Sequence, residues 1–127
     1  PELRNEALYF RAKAYLNQQA DKKAMNDLQA LAKDTRTLYG AEAKYLVALQ
    51  LYKAHEYAAA EKEILNFIEQ STPHAYWLAR SFILLSDVYV AMDKKLDARQ
   101  YLLSLQQNYH ADDDIEQMIN ERLEKLK

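Results

Sequence analysis

The sequence has 127 residues, a formal net charge of −2, one glycine, two prolines and no cysteine. A chain of this length forms one domain, and the absence of cysteine excludes disulfides and thiolate metal sites. Acidic and basic residues are interspersed, which disfavours nucleic-acid binding because phosphate neutralisation requires clustered Lys and Arg. The most apolar run, residues 81–92, is too short to cross a bilayer.

Alanine and leucine supply 38 of the 127 residues, which is typical of an all-helical protein. Apolar residues recur with helical periodicity in seven segments. In chain order the predicted helices are residues 3–19, 21–33, about 40–55, 57–70, about 73–92, 95–108 and 112–127.

Two polar segments predict the starts of helices. Thr72 precedes Pro73 at the fifth helix, where the hydroxyl supplies an N-cap and proline suits the first turn. Asp112, Asp113 and Asp114 open the last helix, where carboxylates cap free N–H groups and face the positive end of the helix dipole. We expect this last helix to cover the apolar side of the pair before it, because a solenoid end otherwise exposes apolar surface.

A small residue followed twelve positions later by alanine occurs three times. The alanines recur at 36 and then 38 residues, a period typical of helical solenoids. At a helix crossing with ~8–10 Å between axes there is no room for a long side chain, so each small pair predicts two antiparallel helices that cross there. Apolar residues at plus four and plus seven fill the wider gaps. The three small pairs are Ala12–Ala24, Ala48–Ala60 and Ser86–Ala98.

This pattern resembles the tetratricopeptide repeat family, which has a small residue at repeat position 8, alanine at 20 and apolar residues at 24 and 27. The resemblance spans about residues 5–105. It departs from the family at position 4, where the second repeat has Lys44, and at position 15, where Gln19, His55 and Asp93 replace glycine. It implies an all-α, right-handed helical solenoid of three helix pairs, about residues 5–38, 41–72 and 79–109, with a capping helix at about 112–127.

The turns at residues 39–43 and 109–112 are similar to those of a bacterial subgroup of these repeats. That subgroup includes outer-membrane-assembly lipoproteins and the coordinator associated with Tol–Pal, so the resemblance implies the periplasm or cell envelope. Because the chain begins at Pro1 without a methionine or a signal-like segment, we expect it to be the C-terminal part of a longer repeat protein.

No catalytic constellation is evident. No serine is flanked by glycines, and the single glycine, Gly40, cannot build a phosphate-binding loop. His55, His74 and His110 lack metal-site spacing and are predicted to lie in solvated turns, and the aspartates at 112–114 lack the pattern of a calcium loop. We therefore expect no enzyme activity, no metal and no cofactor.

The family resemblance implies a scaffold that holds a protein or peptide segment in a concave groove. Tyrosine suits such a groove because it combines a large contact area with a polar tip, although the same tyrosines can serve packing between repeats. A second interpretation is a purely architectural segment of a longer array, with an empty groove. The candidate groove residues are Tyr9, Lys13, Asn17, Tyr45, Leu49, Tyr52, Lys53 and Asp87.

The two ends of the chain differ in the apolar surface they leave uncovered. Leu3 and Leu8 lie on the first helix of this sequence, and if upstream repeats have been removed, the face that they form is left exposed, which predicts weak self-association through the N-terminal repeat.

Overall fold

A computed structural model describes residues 2–127, so Pro1 and the expectation attached to it lie outside the described range. Within that range the chain is all-helical, with seven helices and no strand. The helices are α1 (Glu2–Asn17), α2 (Asp21–Leu31), α3 (Leu38–Lys53), α4 (Tyr57–Glu69), α5 (Ala75–Ala91), α6 (Lys95–Asn108) and α7 (Ile115–Lys125).

The helices pack in chain order. Each helix contacts the next one, and the odd-numbered helices also contact one another in succession, α1 with α3, α3 with α5 and α5 with α7. In the described residues, α2, α4 and α6 make no contact with each other. The odd-numbered helices therefore form a continuous layer, which we call the odd-helix layer, and each even-numbered helix packs against two successive members of it.

The small residues of the repeat pattern are buried, as predicted. Their exposed fractions are 0% for Ala12, Ala24, Ala60 and Ala98, and 1% for Ala48 and Ser86. The apolar residues that follow each alanine are buried as well, namely Leu28, Leu31, Ile64, Phe67, Leu102 and Leu105. A second core cluster joins α7 to α5 and α6 through Ile115 and Ile119, which confirms that the last helix covers the preceding pair.

The same turn joins the two helices of each pair. Gln19, His55 and Asp93 have φ angles of 59°, 63° and 60°, in the left-handed region that glycine favours. The N–H of the next residue donates to a carbonyl five positions back in all three turns, at 2.8, 2.9 and 2.7 Å. This hydrogen bond and the left-handed residue before it define a Schellman helix end. The three Schellman ends are spaced by 36 and 38 residues, the same intervals as the alanines of the repeat pattern.

Two cations are matched by carboxylates within helix pairs. Lys44, the departure from the family pattern, is 8% exposed, and its Nζ lies 3.1 Å from Glu63 and 2.7 Å from Asn66 on α4. Arg11 on α1 makes a bidentate contact with Asp27 on α2, at 2.8 and 2.6 Å. The two buried charges of these pairs, Lys44 and Asp27, therefore each have a hydrogen-bonded partner, whereas Arg11 is itself exposed.

The start of α5 differs from the prediction. The helix begins at Ala75, so Pro73 lies before its N-cap, His74, rather than in the first turn. The hydroxyl of Thr72 instead donates to the carbonyl of Thr35 at 2.6 Å and accepts the N–H of His74 at 3.2 Å. The prediction that Thr72 caps a helix starting at Pro73 is wrong, because this hydroxyl ties the turn to the segment between α2 and α3.

The starts of α3 and α7 are set by side chains near the predicted positions. Thr37 is the N-cap of α3 and accepts the N–H of Gly40 at 2.9 Å. A Cβ on Gly40 would overlap the carbonyl oxygen of Asp34, so glycine is required here by close approach and not by its φ angle. The last helix begins at Ile115, and Asp113 accepts the Ile115 N–H at 3.0 Å.

Candidate protein-binding face

Tyr9 and Lys13 connect α1 to α3. The hydroxyl of Tyr9 donates to the two carboxylate oxygens of Glu42 at 3.0 and 3.1 Å, and Lys13 Nζ lies 3.1 Å from the same group. The Tyr9 ring also stacks on Tyr39, with the ring centroids 4.5 Å apart. Burial and the hydrogen bond to Glu42 raise the pKa of Tyr9, so its hydroxyl stays a donor near neutral pH.

Tyr45 connects α3 to α5. It is 6% exposed, and its ring lies against Trp77 with the centroids 5.5 Å apart. Its hydroxyl accepts a hydrogen bond from Arg80 at 3.1 Å, and Arg80 also donates to Tyr76 at 2.9 Å. The guanidinium lies 5.1 Å from the centre of the Tyr45 ring, a cation–π contact. This tyrosine is therefore engaged in contacts between neighbouring odd-numbered helices.

Asp87 connects α5 to α7. Arg122 approaches it with two nitrogens, Nε at 2.9 Å and Nη2 at 3.0 Å, and both side chains remain about one-quarter exposed. Arg122 was not among the predicted groove residues. Its position carried a usable signal, since it follows Asp87 by 35 residues, as Arg80 follows Tyr45.

Tyr52 and Asp87 meet at a cleft of about 500 Å³ bounded by α3, α5, α6 and α7. Its floor is formed by Ser86 and Leu102, both 1% exposed. Val90 lines it and is 40% exposed, so an apolar side chain inside the cleft is accessible to solvent. The cleft brings together candidate residues that are 35 positions apart in the sequence.

Charged residues line the mouth of this cleft. Lys95 at the start of α6 and Lys125 at the end of α7 are exposed, as is Glu121. Neither lysine makes a salt bridge within residues 2–127, whereas Arg122 is matched by Asp87. Sequence reasoning missed both lysines because the family pattern assigns the groove to the first helix of each pair.

The hydroxyl of Tyr52 faces this mixed environment. Burial, followed by the charge of Asp87, raises the pKa of Tyr52, while Arg122 acts in the opposite direction. The phenol is therefore protonated at neutral pH and is able to donate a hydrogen bond to a ligand in the cleft.

The remaining candidate residues lie apart from the cleft. Leu49 and Lys53 line a separate hollow of about 510 Å³, together with Leu16 of α1 and Leu46 of α3. Asn17 is exposed at the end of α1 and lines neither cavity. The predicted groove residues therefore fall into three groups. Some connect the odd-numbered helices, some lie in the cleft, and some lie near the turn between α1 and α2.

The described residues, 2–127, contain neither a candidate metal site nor a candidate membrane span. Over that range, His, Asp and Glu side chains form no cluster of three able to hold a metal ion. None of the helices there has the length and apolar character needed to span a membrane.

Searches against protein families, curated proteins and solved structures find no match for this chain.

Proposed function

We propose that this chain is a tetratricopeptide-type repeat domain with three helix pairs and a capping helix, wound as a right-handed solenoid. The proposal is supported by the order of helix contacts, in which each even-numbered helix packs between two successive odd-numbered ones. It is also supported by the three Schellman turns, which repeat at the same intervals as the buried alanines.

The function that this architecture supports best is non-catalytic binding of a partner protein segment on the odd-helix layer. The cleft at Tyr52 and Asp87 carries this proposal, because side chains from four helices, two of them predicted groove residues, converge there around open space of about 500 Å³. A lining that combines apolar side chains, here Leu102 and Val90, with a few convergent polar groups is the usual composition of a ligand site. It accommodates a side chain of the partner rather than a whole helix.

The charges at the mouth of the cleft indicate which segment it prefers. Lys95 and Lys125 offer two cations without a salt-bridge partner in the described residues, against the one carboxylate of Glu121, and the Tyr52 hydroxyl is a donor. A segment with an apolar side chain next to acidic residues complements this arrangement. We therefore expect peptides selected by this domain to carry an apolar residue flanked by Asp or Glu.

Selection from a random peptide library tests this function. Peptides selected on the wild type should lose binding to Val90→Glu, because the new carboxylate occupies the cleft and repels acidic residues. Arg99→Glu is the matched control, since Arg99 is exposed on α6 and does not line the cleft. Failure to select any peptide, or equal binding to all three proteins, would contradict the proposal.

A second candidate function, a purely architectural segment, is favoured by a different observation. Four of the predicted groove residues form hydrogen bonds with side chains of a neighbouring odd-numbered helix. They are Tyr9, Lys13, Tyr45 and Asp87. In this interpretation, these side-chain hydrogen bonds stabilise the packing of the odd-helix layer and do not bind a partner. The same peptide selection separates the two candidates, because an architectural segment selects no peptide that depends on Val90.

A further inference from the structure

One face of α1 carries exposed apolar residues in a helical stripe. Leu3, Ala7, Phe10 and Ala14 follow one another at intervals of four, three and four residues, which places them on one side of the helix. Leu3 is 83% exposed and Phe10 is 58% exposed, and both alanines are exposed as well. We call this set the α1 stripe.

The equivalent positions of α3 and α5 are covered by another helix. Counting 36 residues from Ala7 and Phe10 gives Ala43 and Leu46 on α3, which are 0% and 9% exposed. Counting 38 further gives Ser81 and Leu84 on α5, which are 1% and 3% exposed. In the fold, α2 packs on α3 and α4 packs on α5. The α1 stripe is thus a helix-packing face that no helix of the described chain covers.

The stripe is complementary to itself when one copy is reversed. In an antiparallel pair with the two-fold axis between residues 8 and 9, position i of one helix lies level with position 17 − i of the other. Phe10 then faces Ala7 of the second copy, and Leu3 faces Ala14. Every large side chain meets a small one, whereas a parallel pair places Phe10 against Phe10.

A head-to-tail contact has no comparable partner surface. The other end of the molecule presents α7, on which Glu116, Asn120 and Glu124 are exposed. Covering the α1 stripe with such polar residues would desolvate them without providing an apolar contact. Two of the charged residues that flank the stripe are matched inside each chain, Arg11 by Asp27 and Lys13 by Glu42.

We propose that the α1 stripe docks on the α1 stripe of a second copy of this chain, giving a two-fold symmetric dimer with antiparallel α1 helices. Such an interface is isologous, so the same patch is used by both copies. One helix from each side makes a contact smaller than most stable interfaces, so the dimer is weak, with a dissociation constant on the order of 0.1 mM. This surface does not involve the cleft and is independent of the proposed function.

Sedimentation equilibrium over a range of concentrations tests for the dimer. The wild type should shift from monomer towards dimer as its concentration approaches the dissociation constant, and Phe10→Lys should remain monomeric. Leu96→Lys is the matched control, because Leu96 is 82% exposed on α6, away from the stripe, and should dimerise like the wild type. A wild type that stays monomeric overturns the proposal, as does a dimer that Phe10→Lys leaves intact.

Disulfide trapping tests the orientation, since the chain has no cysteine of its own. In an equimolar mixture of the Leu3→Cys and Ala14→Cys variants, mild oxidation should form a disulfide that joins one variant to the other. Leu3→Cys alone should not, because the two positions are then eleven residues, or about 16 Å, apart along the paired helices. A disulfide in Leu3→Cys alone, with none between the two variants, overturns the antiparallel arrangement.

Discussion

The residues at the three interhelical turns adopt a backbone conformation that their side chains disfavour. A left-handed φ costs about 1–2 kcal/mol for a residue with a Cβ, and glycine is free of that cost. Gln19, His55 and Asp93 nevertheless occupy it, and two hydrogen bonds at each turn hold the backbone in place. The turn is therefore determined by the two helices it joins and not by its own residue.

Gln19→Gly should raise the free energy of unfolding by about 0.5–1 kcal/mol, because relief of the left-handed strain exceeds the added flexibility of the unfolded chain. Gln18→Gly is the matched control and should lower stability, since Gln18 does not have a positive φ. Urea denaturation of the two variants measures both effects. A loss of stability in Gln19→Gly would show that the turn carries no such strain.

At the scale of elements, the last helix shows how tertiary packing supports a short segment. α7 has 11 residues, too few for a helix to be stable alone in water. Ile115 and Ile119 are 1% and 2% exposed and belong to the cluster shared with α5 and α6. Arg122 adds a bidentate contact to Asp87 on α5.

Ile119→Ala should lower the free energy of unfolding by about 2–5 kcal/mol, because it removes buried methyl groups and leaves a cavity. Gln117→Ala, on the exposed side of the same helix, should change stability little and controls for helix propensity. Thermal melting followed by circular dichroism measures the difference. Equal melting temperatures for the two variants would mean that α7 contributes nothing to the fold.

At the scale of the whole molecule, the tyrosines make stability depend on alkaline pH. Burial and the hydrogen bond to Asp113 raise the pKa of Tyr109 to about 12, and burial also raises the pKa values of Tyr52 and Tyr89. The unfolded chain loses these protons near pH 10. The stability that these protonated tyrosines contribute is therefore fully present below that pH, and it is lost as the pH rises from about 10 to 12.

Tyr109→Phe should make this alkaline decline shallower, because one group that retains its proton only in the folded state is removed. Asp113→Asn tests the cause, since it keeps an acceptor but removes the charge, and should lower the pKa of Tyr109. Denaturation at a series of pH values and the ultraviolet absorbance of phenolate measure the two effects. An unchanged slope in Tyr109→Phe would contradict the assignment.

The helices and the buried face of each could be predicted from the amino-acid sequence alone. Apolar periodicity and small residues at fixed offsets reflect contacts within a helix or between neighbouring helices. The prediction that Ala24, Ala60 and Ala98 are buried is therefore correct. The start of α5 was not predicted, because Thr72 can cap a helix or bind a distant carbonyl, and only the folded position of Thr35 selects the second.

The candidate site depended on the tertiary structure to a greater extent. The pattern named Tyr52 and Asp87, but their position beside Lys95 and Lys125 is set by how α6 and α7 approach α5. The polar partners of Tyr9 and Tyr45 likewise lie more than 30 residues away, on the next odd-numbered helix. Local periodicity specifies which side of a helix is apolar, whereas the packing of helices distant in sequence decides which polar groups meet.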